Sequence, residues 1–301
     1  MTTLLVTGGT GLLGSSLVQA FRAKGYQVIA PSHAQLDVGS IDQLKAYFSA
    51  HRPDIVLHAA AYTQVDRAEA EPTEAFRMNA FGTRNVAVAA EAVQAKLVFI
   101  STDYVFDGRK TEPYHEFDPV SPGNVYGRSK LAGEQFVRQF HHRFFIVRTS
   151  WLFGPHWPNF VMKMLELAQQ DQKIAVVCDQ YGSPTYVKDL ADPIDALIKS
   201  EKYGTYHITN SGSCSWYELA QQIFTLYGLS IPVSPVYTDQ YERAASRPKH
   251  SVLAPFAMQA NDISLLRDWK EALAEFLQET KAAAEKKKEG PADPGLKSDG
   301  K

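Results

Sequence analysis

Cysteine is nearly absent from this sequence of 301 residues: Cys178 and Cys214 are the only two, far apart, at a spacing that forms neither a metal site nor a redox pair. They are expected to be reduced thiols in a cytoplasmic protein, and a disulfide scaffold is excluded. Long apolar runs are missing, so no membrane-spanning helix is expected. The chain opens without a basic stretch or a cleavage site, and no secretory signal is expected. Charge of one sign is missing as well, since 31 Lys and Arg stand against 33 Asp and Glu, a net charge of -2. Such a balance gives no reason to expect nucleic acid or an anionic membrane as a partner. What the chain does have is 45% hydrophobic and 21% charged residues, ordinary for a globular enzyme. Its length suits one large domain or two fused ones, with ample material for a core.

Residues 3–7 read as a short buried strand. Gly8-Gly9-Thr10-Gly11-Leu12-Leu13-Gly14 follows, and residues 15–24 carry helical periodicity through Leu17, Val18 and Phe21. A glycine triplet between a strand and a helix is the turn that lets a backbone approach a dinucleotide's pyrophosphate, with the helix N–H groups aimed at the anion. The second strand ends at Pro31-Ser32-His33, where an acid would grip the adenosine ribose and exclude a 2′-phosphate. No acid stands there, so Ser32 leaves NADPH admissible and NADH usable. No Arg or Lys stands there either.

Leu36-Asp37-Val38 precedes a helix over about residues 40–51, with Ser40 as its N-cap. A third strand, 54–58, runs into Ala59-Ala60-Ala61-Tyr62-Thr63, small residues across which a flat ligand can lie. His58 reads as a satisfied core residue. A long helix over about 73–95 and a fourth strand, 96–100, deliver Ser101-Thr102-Asp103 to the carboxyl edge, where catalytic groups collect in such sheets. Asn124 can cap a helix beginning near Tyr126, in which Gly133 reads as a point of close packing. Tyr126 and Lys130 are four apart and share a face of that helix. A cation at that distance is expected to draw the phenol down toward neutrality from the ~10 of free tyrosine, against desolvation.

A fifth strand, 143–149, completes βαβαβαβαβ, which predicts an α/β fold: a Rossmann-type, doubly wound parallel sheet over residues 1–150. After Ser150 the pattern loosens. Residues 151–280 are expected to form a smaller C-terminal substrate-binding lobe, with a helix at 187–199 returning to the sheet and a last helix over about 262–281. Residues 281–301 are expected to be a flexible tail.

With the glycine turn, Thr102 and Tyr126-x-x-x-Lys130 in place, the chain resembles the extended short-chain dehydrogenase/reductase superfamily. Within it the chain is most similar to the dTDP-4-dehydrorhamnose reductases. The resemblance covers residues 3–280 and is carried by the segments 59–66, 101–108, 124–134, 148–151 and 179–185. It implies reduction of the C4 carbonyl of dTDP-4-dehydro-β-L-rhamnose by NADPH, giving dTDP-β-L-rhamnose, a cell-surface polysaccharide precursor. Thr102, Tyr126 and Lys130 would be catalytic. Gly8, Gly11, Leu12, Leu13 and Gly14 would face the dinucleotide phosphates, Asp37 and Val38 the adenine, and Ala60, Ala61, Tyr62 and Thr63 the ribose and nicotinamide, with Tyr126 and Lys130 on the nicotinamide ribose. Thr102, Asp103, Tyr104, Val105, Tyr126, Trp151 and Arg247 would touch the dTDP-sugar. The protein would act as a monomer or homodimer.

The family often has an acid where Ser32 stands, and the segment Arg247-Pro248-Lys249-His250-Ser251 departs from its usual pattern. Two alternatives stand beside this reading. One is a nucleotide-sugar dehydratase or epimerase; the dehydratases carry a glutamate after the Thr-Asp pair, where this chain has Tyr104. A nucleotide-binding regulatory subunit like that of methionine adenosyltransferase is the other. Magnesium is implied by the resemblance, but Asp189 and Glu218 are the only candidates that suggest themselves, so no metal site is assigned.

Overall fold

The computed structural model describes residues 1–289 other than 156, 171 and 172. Five short apolar segments become the strands β1 (Thr3–Thr7), β2 (Gln27–Ile29), β3 (Ile55–His58), β4 (Lys96–Thr102) and β5 (Phe144–Thr149). They pair only in parallel, together with Gly204–His207, in the spatial order 204–207, β5, β4, β3, β1, β2. The chain reverses its direction of travel across the sheet between β1 and β3, and ligand crevices of such sheets open at the strands' carboxyl ends there. This is the expected doubly wound fold. One difference is the strand Gly204–His207, expected in the lobe region, which joins the main sheet beside β5.

Side chains alternate between the two faces of each strand. On one face Leu5, Val56, Leu97, Phe99 and Ile146 pack with Leu44 and Phe48 of α2 (Ile41–His51) and with more helices beyond it. On the other face Leu4, Val6, Leu57, Val98 and Val147 pack with Leu17 and Phe21 of the first helix, Leu12–Ala23. The same cluster continues without a break through Ile194 and Leu197 into Leu219, Ile223, Leu273 and Phe276. From the helix Ala191–Lys199, Asp195 accepts from Tyr26 at 2.7 Å and Asp192 pairs with Lys24.

The helix expected over 73–95 is broken. Val65–Ala70 and Pro72–Phe76 precede a π-helical turn, Arg77–Gly82, and an α-helix, Thr83–Ala92. A π-turn re-aims the side chains around it, and such turns gather at functional sites. The last helix also differs, starting at Trp269 and running to Glu289. Residues 282–289 are Ala, Lys and Glu, strong helix formers, so this stretch is helical where a flexible tail was expected. Residues 290–301 of that expected tail lie outside the described residues.

Candidate active site

The N-terminal turn shows why glycine is needed. Gly8 has φ of 70°, and a Cβ there would stand 2.6 Å from the Ala60 nitrogen. The first helix starts after Gly11, whose lack of a side chain leaves the leading N–H groups without a cap. Such donors form an anion site. Trp157, from beyond the sheet, braces the turn by donating from Nε1 to the Thr10 carbonyl at 2.7 Å.

The helix Val125–Phe140 begins as expected, with Asn124 Oδ1 accepting from the Gly127 amide at 2.7 Å. Its third residue must be glycine, because a Cβ at Gly127 would fall 2.2 Å from the Tyr104 carbonyl oxygen. Tyr126 is thereby pressed to the end of β4, its ring edge-on to Tyr104 at 5.8 Å. Further along, a Cβ at Gly133 would stand 2.5 Å from the Asn79 carbonyl oxygen, the close packing expected there.

A cleft of about 640 Å³ opens over these parts at the carboxyl edge of β1, β3, β4 and β5. Gly8, Gly11, Leu12, Leu13, Gly14, Val38, Ala60, Ala61 and Thr63 line it, with Thr102, Asp103, Tyr104, Tyr126, Lys130 and Trp151. Five expected residues lie outside the lining. Ser32 donates its hydroxyl to Gln35, while its neighbours Pro31 and His33 reach the cleft. Asp37 turns back to accept from the Gly39 amide. Tyr62 donates its hydroxyl to Glu71, and its backbone is held on both sides by Asn79. Val105 is fully buried in a cluster with Phe106 and Leu253. Arg247 makes a two-pronged ion pair with Asp66, 2.8 Å at each prong.

Burial decides the electrostatics. Burial first, then the Asp103 charge, pushes the Tyr126 phenol well above its ordinary value, with the Thr102 hydroxyl opposing. Lys130 does not draw the phenol down as expected. The Lys130 ammonium instead donates to the Ile100 carbonyl at 2.6 Å and lies over the Phe99 ring. Burial lowers its pKa to about 7, with Glu134 opposing. Asp103 is raised to about 6 by burial, against the Ser251 and Thr102 hydroxyls. Thr102 donates to Asp103 Oδ1 at 2.9 Å, and Asp103 Oδ2 is buried without a partner. His58 is fully buried between the Thr7 and Thr83 hydroxyls, and its pKa falls to about 3, through burial and then the Lys130 charge. It is the satisfied core residue expected.

Several contributors carried no readable signal. Asn79 ties Tyr62 to Ser129 from inside the π-turn. Arg77, from the same turn, comes within 3.8 Å of Asp37, placing a basic group beside the segment after β2 where the sequence shows none. Trp216 lines the cleft from a distant helix. Only Trp216 had a local cue, the Ser215-x-x-Glu218 capping box that marks where its helix starts.

The family profile described as RmlD substrate binding domain matches residues 1–282. The chain belongs to the RmlD substrate binding domain family. Among its relatives, the spore coat polysaccharide biosynthesis protein SpsK of Bacillus subtilis is 42% identical over 95% of this chain and 100% of that protein. The dTDP-4-dehydrorhamnose reductase of Streptomyces griseus is 40% identical over 90% of this chain and 91% of its own. A solved dTDP-4-dehydrorhamnose reductase from Bacillus anthracis, in complex with NADP, superposes with a TM-score of 0.91 at 45% identity, covering 93% of this chain and 100% of that one. Within this family the present cleft has the cofactor turn, the phenol and the lysine in one place.

Metal ligation is another matter. Asp189 is held by both prongs of Arg267, and Glu218 is spent in the capping box of Ser215. Among the described residues no three His, Cys, Asp or Glu gather as a metal would need. The residues do not fit a magnesium site, and no step below uses one.

Proposed function

We propose that this chain reduces the C4 carbonyl of dTDP-4-dehydro-β-L-rhamnose to dTDP-β-L-rhamnose with NADPH. The observation that carries the reading is the meeting of Thr102, Tyr126 and Lys130 over the glycine turn in one cleft, in a chain of this family. Gly8 and Gly14 let the turn and the helix start close on the chain's own backbone, and Gly11 lines the cleft without a side chain, so the residues fit a dinucleotide. Leu12, Leu13, Val38, Ala60, Ala61 and Thr63 would hold its remaining length. When bound, the reduced nicotinamide supplies the hydride.

The chain's own residues do the rest. Tyr126, its pKa held up, is a neutral phenol throughout the physiological range. It gives its proton to the sugar oxygen as negative charge develops there, an alkoxide being a stronger base than phenolate. Thr102 has a single hydroxyl proton, here given to Asp103; turned to the sugar, it is the second donor to that oxygen. Lys130, with a pKa near neutrality, grips the ribose hydroxyls.

Residues 1–150 serve as the dinucleotide-binding part and 151–280 as the substrate-covering lobe, in a cytoplasmic monomer or homodimer without nucleic-acid partners. No helix among the described residues is long and apolar enough to cross a membrane. Incubation of the purified chain with NADPH and dTDP-4-dehydrorhamnose should consume NADPH absorbance. No loss with this substrate would refute the assignment.

A further inference from the structure

The backbone of Trp151 is held in a conformation that a bulky residue rarely adopts, with φ of 46°. Non-glycine residues persist there only where the surroundings force them, and they gather at functional sites. The surroundings of Trp151 are two. Its indole stacks on that of Trp216, centroids 3.5 Å apart and planes 7° from parallel. Its edge lies over Gly182, where a Cβ would come within 2.4 Å of the ring. Gly182 belongs to a small ribbon, Tyr181–Gly182 paired antiparallel with Cys214–Ser215, and Trp216 follows that ribbon directly. The helix Trp216–Tyr227 starts at once after it, locked by the reciprocal bonds of Ser215 and Glu218. Phe160 packs on Trp216 from the neighbouring helix at 4.6 Å. Trp151 and Trp216 both line the cleft.

We propose that Trp216 is a positioning residue for the sugar. It holds the Trp151 indole as one fixed plate of an aromatic wall, against which the apolar face of a 6-deoxyhexose joined to a nucleotide is seated. The inference rests on the reductase reading with Trp151 as a sugar contact. A site gains when the side chain that meets the ligand is locked by a second layer, since a loose contact loses orientation first. A C–H face and a methyl group suit an indole plate, whereas the phosphates are served elsewhere in the cleft. Removing the second plate should therefore weaken sugar binding and leave the cofactor alone.

The test compares Trp216→Ala, Trp216→Phe and Gly182→Ala by steady-state kinetics in NADPH and dTDP-4-dehydrorhamnose, with circular dichroism on each. Trp216→Ala is expected to raise the sugar KM roughly tenfold, the upper range for an aromatic pair, with the NADPH KM within about twofold. Trp216→Phe keeps a plate and should stay within about threefold of the unaltered chain. Gly182→Ala pushes the Trp151 ring aside without touching Trp216 and should reproduce the sugar KM rise; it carries the comparison if Trp216→Ala does not fold. An unchanged sugar KM in Trp216→Ala or in Gly182→Ala, or equal losses in the Ala and Phe variants, would overturn the inference. If the unaltered chain shows no turnover, the reductase reading fails.

Discussion

At the scale of single residues, two groups in the cleft are set by burial more than by their charged neighbours. Tyr126 is the proton donor we propose, and its neutral form is secured by desolvation and by Asp103. Tyr126→Phe should cut turnover by about 10²–10⁴ while NADPH still binds, as measured by single-turnover kinetics and cofactor titration. Near-normal turnover would remove Tyr126 from the mechanism. Asp103 has a pKa raised from 3.8 to about 6. Between those values the folded chain keeps a proton that the unfolded chain has released, so stability falls as pH rises through the window. The loss is fully present above pH 6, with an upper bound of roughly 3 kcal/mol. Asp103→Asn should accordingly raise the melting temperature well above pH 6 and change it little below pH 3.8. Melting curves with the same pH profile as the unaltered chain would contradict this.

At the scale of elements, the start of the helix Val125–Phe140 is where propensity and packing disagree. Gly127→Ala would ordinarily stabilise a helix by about 1 kcal/mol. Here the added Cβ meets the Tyr104 carbonyl oxygen, which is backbone and cannot swing away. Packing wins, and the variant should melt lower and turn over more slowly, because Tyr126 is carried by the displaced turn. A higher melting temperature would mean that the helix start yields freely. The π-turn Arg77–Gly82 shows the same dependence on neighbours: its Asn79 is fully buried and bonded to Tyr62 and Ser129, two other elements of the site.

At the scale of the whole molecule, one apolar cluster joins the sheet to the lobe helices, so the lobe shares its core with one face of the sheet, while the sheet's other face keeps a separate cluster. Calorimetry should show a single unfolding transition, and two resolved transitions would show that the lobe folds alone. The acids once open to magnesium are engaged by Arg267 and by Ser215. Turnover should survive EDTA, with NADPH used at least as well as NADH. Activity lost on chelation and restored by magnesium would contradict the first; a strong NADH preference would contradict the second.

Local sequence determined the strands, the glycine turn, the caps at Ser40 and Asn124 and the shared face of Tyr126 and Lys130, because each depends on residues a few positions apart. The eleven expected cofactor residues that line the cleft, Tyr126 and Lys130 among them, were legible for the same reason. Tertiary structure alone decided what depends on distant partners. It turned Val105 into the core, gave Arg247 to Asp66, and brought Arg77 beside Asp37. It also reversed the direction of the Tyr126 shift, since a sequence shows that a lysine is near but not that both groups are dry. Desolvation and long-range pairing are sums over the whole packed chain, and only the folded molecule performs them.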